Sequence, residues 1–436
     1  MKIPNPLEDA RASASPFETA STAPAPLDRY LWALLGMLMS VTIFEGYDVT
    51  IFHLCTPDIA RTFHLDDRAV GGMASLVRLG GMLAFFVVIM ADRVGRKPIV
   101  SLTVVFYALF TLLTALSRGL GTFTLFQSSA QLFLSAEFTV AIIMISEEFP
   151  DRMRGTGVAM LNLVGLLGVV AAGTLYGPVA ESRWGWRGMY FIGVGPLMLV
   201  AFIRRGMRET ARFEQLRPSR ALAASAGRFK QVARAAFVPF TGRHRGRLLL
   251  VALLWNCVGL VSAPSVTFFS LYAKRDHHWT SAQVGSAIVI AYTVGTLGHL
   301  LCGRMLDVVG RKATSAAFYL FGAVSMLVLF QAASHGVMLA ALVAAVFGFQ
   351  GARTATATYS AELFPTEIRA TSYSLTVQVL GQITALASPF LIGALSKSLG
   401  GLGNAVAAVC VGPVIGAILV ALYAPETMGK RLEELG

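Results

Sequence analysis

The sequence predicts an all-α membrane protein, twelve transmembrane helices in two pseudo-symmetric six-helix bundles, on three observations. Of the 436 residues, 55% are hydrophobic and 14% charged, too few polar groups to cover the surface of a soluble globule. Twelve apolar runs follow one another, most near the length of roughly 20 residues that crosses a hydrocarbon core about 30 Å thick. Finally, two motif blocks recur at one constant offset of 215 residues.

Residues 1–30 are rich in Pro, Ala and Ser and lack a basic start, apolar stretch and cleavage site. They read as a disordered cytoplasmic tail rather than a signal peptide. Residues 31–203 form the N-terminal bundle, with apolar runs at 31–54, 69–90, 98–117, 122–146, 155–180 and 186–203. Residues 204–247 are a basic linker holding twelve Lys or Arg against only Glu209 and Glu214. Residues 248–424 form the C-terminal bundle, with runs at 248–273, 281–302, 313–334, 336–360, 370–395 and 401–424, and residues 425–436 are a short tail.

The net charge of +12 is gathered on one side. The linker, the group Arg93, Arg96 and Lys97, and the group Arg304, Arg311 and Lys312 share that side if the helices alternate. The positive-inside rule assigns it to the cytoplasm, with both termini there and the chain in the inner (cytoplasmic) membrane. Short linker helices against anionic lipid fit this placement. The four cysteines sit in or at the edge of apolar runs without disulfide or metal-ligand spacing, so they read as packing residues.

The repeat is visible in two distant places. Asp92, Gly95, Arg96 and Lys97 match Asp307, Gly310, Arg311 and Lys312, and Glu147, Phe149, Pro150 and Arg154 match Glu362, Phe364, Pro365 and Arg369. One register across both blocks implies two parallel six-helix units with a midplane site between them. The blocks also bring acids and guanidiniums together: Asp92, Arg93 and Arg96 beside Glu147 and Arg154, and Asp307 and Arg311 beside Glu362 and Arg369. Such pairs are expected to form when the cytoplasmic side is shut and to break when it opens. The bland alternative is a set of stop-transfer charges. Topology, however, reads mainly Lys and Arg and does not require the acids to repeat.

On these residues the chain resembles the major facilitator superfamily over nearly its whole length. The Asp-Arg-x-Gly-Arg-Lys block at Asp92 to Lys97, with a partial copy after the eighth run, is that superfamily's hallmark. Glu45-Gly46-Tyr47-Asp48, Glu137 ten residues before Glu147, and the closing Pro425-Glu426-Thr427 with Gly429-Lys430 look like the metabolite:proton and aromatic acid:proton symporters related to sugar porters. The resemblance implies a carrier driven by a proton gradient with no cofactor. Two departures stand out: Gln127 replaces an arginine usual in that group, and Gln131, Phe133, Ser135 and Ala136 replace its glycine-rich run. Substrate therefore cannot be carried over by analogy.

Away from their ends, the predicted spans hold five side chains charged at neutral pH in water: Glu45, Asp48, Arg78, Glu137 and Arg353. Each costs about 2.5 to 3.5 kcal/mol at a helix centre, so each needs a partner or a wet cavity. At about 1.5 Å per residue, Glu137 stands roughly 15 Å from Glu147 and Arg353 roughly 14 Å from Glu362, near the midplane. Arg78 and Glu45 lie somewhat further out and share a depth, which pairs them. None of the first-half charges recurs in the second half, where Leu260, Ala263, Thr293 and Ala352 stand at the matching positions. They therefore belong to the work of this protein rather than to the common scaffold, the alternative being a static ion-pair network. Three acids against two guanidiniums leave at least one acid without a fixed cation in a dry site, a proton carrier in waiting. Asp48 and Glu137 are the leading candidates, with Glu45 behind them.

Arg353 offers a planar fork of donors that suits a carboxylate or phosphate, which makes an organic anion the expected solute. Arg78, Asn162, Asn256, Gln378 and Gln382 fill out the candidate substrate site, although lone amides also bond helix to helix. Tyr47, Tyr292, Phe138 and Trp255 are candidate lining, and His53 and His299 rank below the acids. The sequence carries no nucleotide-binding loop, metal cluster or nucleophile elbow, so a primary pump or an enzyme lacks its chemistry. The reading is uptake of a small carboxylate, aromatic or otherwise, by proton symport. Proton-driven export of lipophilic compounds, a sugar or polyol porter and a non-transporting sensor are the alternatives. The expected partners are the solute, protons and membrane lipid, with no nucleic acid, no metal and a monomeric carrier.

Overall fold

A computed structural model of the protein describes residues 29–149, 154–203, 244–364, 372–373 and 375–428. Residues 1–28 of the expected tail, most of the basic linker, Arg369 and residues 429–436 lie outside the described residues, as do the side chains of Asp92, Arg93, Arg154 and Gln378.

The first bundle consists of α1 (Arg29–Thr62), α2 (Asp67–Val94), α3 (Arg96–Ala115), α4 (Leu120–Glu148), α5 (Arg154–Ala180) and α6 (Gly185–Ile203). The second begins with α7 (His244–Arg275), α8 (Ser281–Val308), α9 (Arg311–Gln331) and α10 (His335–Glu362). Its eleventh span runs from Leu375 into α11 (Ile383–Ser396), and its twelfth is α12 (Leu402–Val409) followed by α13 (Val411–Tyr423). Ten of the twelve spans are long and apolar enough by composition to cross a membrane, and α6 and α7 complete the set.

After tight turns, capping residues start several of the spans abruptly. Asp66 accepts from the Ala69 N–H at the start of α2, Ser334 caps α10, and Thr280 and Gln283 form a reciprocal capping box on α8. The motif glycines explain their own repetition: Gly95 and Gly310 precede α3 and α9 with φ of 118° and 109°, a region closed to other residues.

The last two spans depart from the single helices the sequence predicts. A π-turn over Leu375–Val379 and a 3-10 turn over Leu380–Gln382 precede α11. Asn256 of α7 takes up the backbone groups so released, donating to the Leu380 carbonyl at 2.8 Å and accepting from the Thr384 N–H at 2.9 Å. In the twelfth span Pro413 has no N–H to offer the Val409 carbonyl, and the helix breaks at Cys410.

The two ends of the molecule differ. At the end of Thr62, Asp67, Arg275 and Ser396, here the far side, one hydrophobic core runs through both bundles and includes Ile51, Met73, Tyr176, Phe268, Ile288 and Ile392. There α5 packs on α8, α2 on α11 and α1 on α7. Backbones touch at the first of these seams, since a Cβ on Gly285 would lie 2.1 Å from the Gly173 carbonyl oxygen. At the opposite end, the basic side of Arg96 and Arg311, each bundle keeps its own core: Leu38, Val100 and Met144 in the first, Leu254, Phe318 and Tyr359 in the second. Among the described residues the bundles therefore join on the far side and part on the basic side.

Candidate functional site

Between the bundles lies a cavity of about 310 Å³, within the range that accepts a small organic solute. Its polar wall comprises His53 of α1, Arg78 of α2, Gln131, Ser135 and Thr139 of α4, Thr267 of α7 and Gln382 before α11. Phe52 and Phe85 supply apolar faces. Arg78 forms no salt bridge among the described residues. Arg353 and Tyr292 of the opposite bundle lie within electrostatic reach of it. Arg353 itself is exposed on α10. Of the two, only Arg78 is on the cavity wall, Arg353 lying off it, and neither guanidinium forms a salt bridge among the described residues.

The acids stand elsewhere, which corrects the expectation that acids and guanidiniums border one chamber. Asp48 and Glu137 are 1% and 0% exposed, and neither they nor Glu45 line the cavity. Asp48 turns into the first bundle and accepts from Gln127 Nε2 at 3.4 Å. The amide that replaces the symporters' arginine is therefore the partner of this acid. Glu45 lies within electrostatic reach of Glu137 and makes no ion pair with Arg78. Shared depth on two helices did not fix which way each side chain points.

The candidate amides divide. Asn256 spends its amide on the backbone, with donations to Ala252 and Leu380 and acceptance from Thr384, so it is a clamp on the broken span rather than a solute ligand. Asn162 is exposed on α5 and off the cavity wall. Gln382 does line the cavity, while its Nε2 donates to the Val377 carbonyl at 2.9 Å and steadies the π-turn. Tyr47 and Trp255 point into their own bundles, bonded to the Met189 carbonyl and the Ser360 hydroxyl, and Phe138 and Tyr292 are also off the wall.

Sequence reasoning missed Phe52, Phe85 and Thr267 and underrated His53. His53 Nδ1 and Thr267 Oγ1 meet at 2.7 Å across the two bundles. Gln131 and Ser135 stood out only as departures from a glycine run, yet they are four apart on one face of α4 and bonded to each other at 3.2 Å.

On the basic side the repeated blocks form matching forks. Arg96 holds Glu147 through two bonds of 2.8 and 3.1 Å and also donates to the Ala91 carbonyl, and Arg311 holds Glu362, Asp307 and the Leu306 carbonyl likewise. The Arg96–Glu147 and Arg311–Glu362 pairs each join residues of one bundle and are made while the bundles are parted on that side, contrary to the expectation that these two pairs are broken there. Glu426 then straps the second fork: its carboxylate accepts from the N–H groups of Arg311 and Lys312 at 2.9 and 3.0 Å, and Thr427 donates to Glu362. Burial pushes the Glu426 carboxyl up, but the backbone N–H groups outweigh this and hold it below the ordinary carboxylate range.

The family profile described as Major Facilitator Superfamily matches residues 38–269 and 256–435. A putative metabolite transport protein of Haemophilus influenzae is 25% identical over 427 residues, 93% of this chain and 99% of its own. The 3-(3-hydroxy-phenyl)propionate transporter of Escherichia coli is 26% identical over 388 residues, 86% of this chain and 89% of its own. Among solved structures, the inward open conformation of the xylose transporter XylE from E. coli matches with a TM-score of 0.75 at 18% identity, covering 93% of this chain and 99% of that one, a likeness of fold.

Proposed function

Since the chain belongs to the Major Facilitator Superfamily and is a multi-pass membrane transporter, we propose that it takes up a small organic anion, an aromatic or other carboxylate, together with protons. The observation that carries this reading is Arg78: a guanidinium in the wall of the inter-bundle cavity, unpaired with any described acid and flanked by Phe52 and Phe85. A half-buried cation on the wall of an apolar span calls for a counter-charge, and a carboxylate on an apolar or aromatic body supplies both the charge and the surface. The E. coli relative, named for a hydroxyphenyl propionate, points the same way.

Proton coupling rests on Asp48. It is buried, bonded to a neutral amide and without an ion pair among the described residues, an environment that favours a bound proton. The basic side faces the cytoplasm by the positive-inside rule, so the cleft opens inward. Uptake then requires the far side to open, admit anion and proton, and close again.

Thermal-shift titration of the purified protein against aromatic carboxylates, aliphatic carboxylates, hexoses and organic cations tests the solute class. Carboxylates are expected to stabilise the wild type and to leave Arg78→Gln unmoved. Stabilisation by hexoses alone would replace the anion reading with a sugar porter.

A further inference from the structure

Among the described residues, two ion pairs join the bundles on the far side, Lys274–Asp58 and Arg275–Asp67. Lys274 of α7 directs its ammonium at three oxygens: Asp58 Oδ1 of α1 at 2.7 Å, the Tyr176 hydroxyl of α5 at 3.1 Å and the Ser281 hydroxyl of α8 at 3.0 Å. Tyr176 in turn donates to Asp58 Oδ2 at 2.7 Å. All three ammonium protons and both carboxylate oxygens are engaged, with the Lys274 and Asp58 side chains only 10% and 17% exposed. A second, more exposed link ties Arg275 of α7 and Ser396 of α11 to Asp67 of α2.

We infer that the knot of Asp58, Lys274, Tyr176 and Ser281 is the far-side gate, made when that side is shut and broken when solute enters, and that it holds the resting protein open to the basic side. This rests on the alternating-access reading of the fold. The physical argument is one of solvation. Separating a largely buried ion pair leaves two uncompensated charges unless water reaches both, so the knot can break only if the far side opens. It sits at the α5–α8 seam, where Gly173 and Gly285 bring the backbones together, so a small rotation of one bundle pulls its members apart. On the basic side the Arg96–Glu147 and Arg311–Glu362 pairs each join residues of one bundle.

The test reads access from the far side. In full-length protein with the four native cysteines, all buried, replaced by alanine, a reporter Leu386→Cys is placed on the cavity wall. Its labelling by a membrane-impermeant maleimide is followed in intact cells. Slow labelling is expected with the native knot and with Lys274→Arg. Asp58→Asn and Lys274→Met should each raise the rate about fivefold or more as the population shifts, and Tyr176→Phe, which deletes only a hydroxyl, should give a smaller rise. The swap Asp58→Lys with Lys274→Asp should return the rate toward the native value. Unchanged labelling in Asp58→Asn, Lys274→Met and Tyr176→Phe overturns the gate. A swap that labels as fast as the single variants overturns it too, because the effect is then lost packing rather than a lost pair. Labelling needs no solute, so a failure of carboxylate uptake alongside the expected labelling pattern counts against the proposed substrate alone.

Discussion

At the scale of single residues, Arg78 and Asn256 make opposite predictions. Arg78→Gln removes a charge-assisted contact worth about 1.5 to 3 kcal/mol, so KM for the carboxylate should rise about 10- to 100-fold with little change in melting temperature. Arg78→Lys should recover only part of this, since a point charge cannot reproduce the planar fork. Asn256→Ala should leave KM unchanged and lower the melting temperature by several degrees, because it orphans backbone groups at the Leu380 and Thr384 break. A rise in KM without loss of stability would return Asn256 to the solute site. Both residues look alike in sequence, polar side chains in apolar runs. Depth could be counted off the helical rise, but direction depends on the neighbouring helix, and no periodicity reveals that Asn256 faces the break between Leu380 and Thr384 or that Asp48 faces Gln127.

At the scale of elements, the spans were legible where a motif or cap marks them and illegible where a tertiary partner reshapes them. The turns before α3 and α9 follow from motif glycines with positive φ. The broken eleventh span follows from a side chain more than a hundred residues away, and so could not be read locally. The strap of Glu426 across the start of α9 predicts a pH signature. Its carboxyl is held below the ordinary range, so its contribution is present above the unfolded value of about 4.3 and fades as pH falls through the lowered folded value. The melting-temperature difference between wild type and Glu426→Gln should therefore be present at neutral pH and shrink on acidification below pH 4. A difference that persists unchanged in acid would show that the strap acts through packing rather than charge.

At the scale of the molecule, one shared far-side core and two separate basic-side cores define a two-bundle carrier captured open to one side. The two-fold repeat announced the architecture; the state did not show in the sequence, because the residues that decide it, Asp58, Lys274 and Tyr176, belong to no repeated block. The solute cavity and the acids are separate, and α1 touches both, presenting Val49, Phe52 and His53 to the cavity while Asp48 turns into the first bundle. On the proposed function, a proton on Asp48 and an anion at Arg78 occupy two sites coupled through one helix. Uptake of a labelled carboxylate, chosen from those that bind, into proteoliposomes under an inwardly directed proton gradient tests it most directly. Wild type should accumulate the solute above equilibrium, and Asp48→Asn should exchange it without accumulating. Accumulation by Asp48→Asn equal to that of the wild type would contradict the claim.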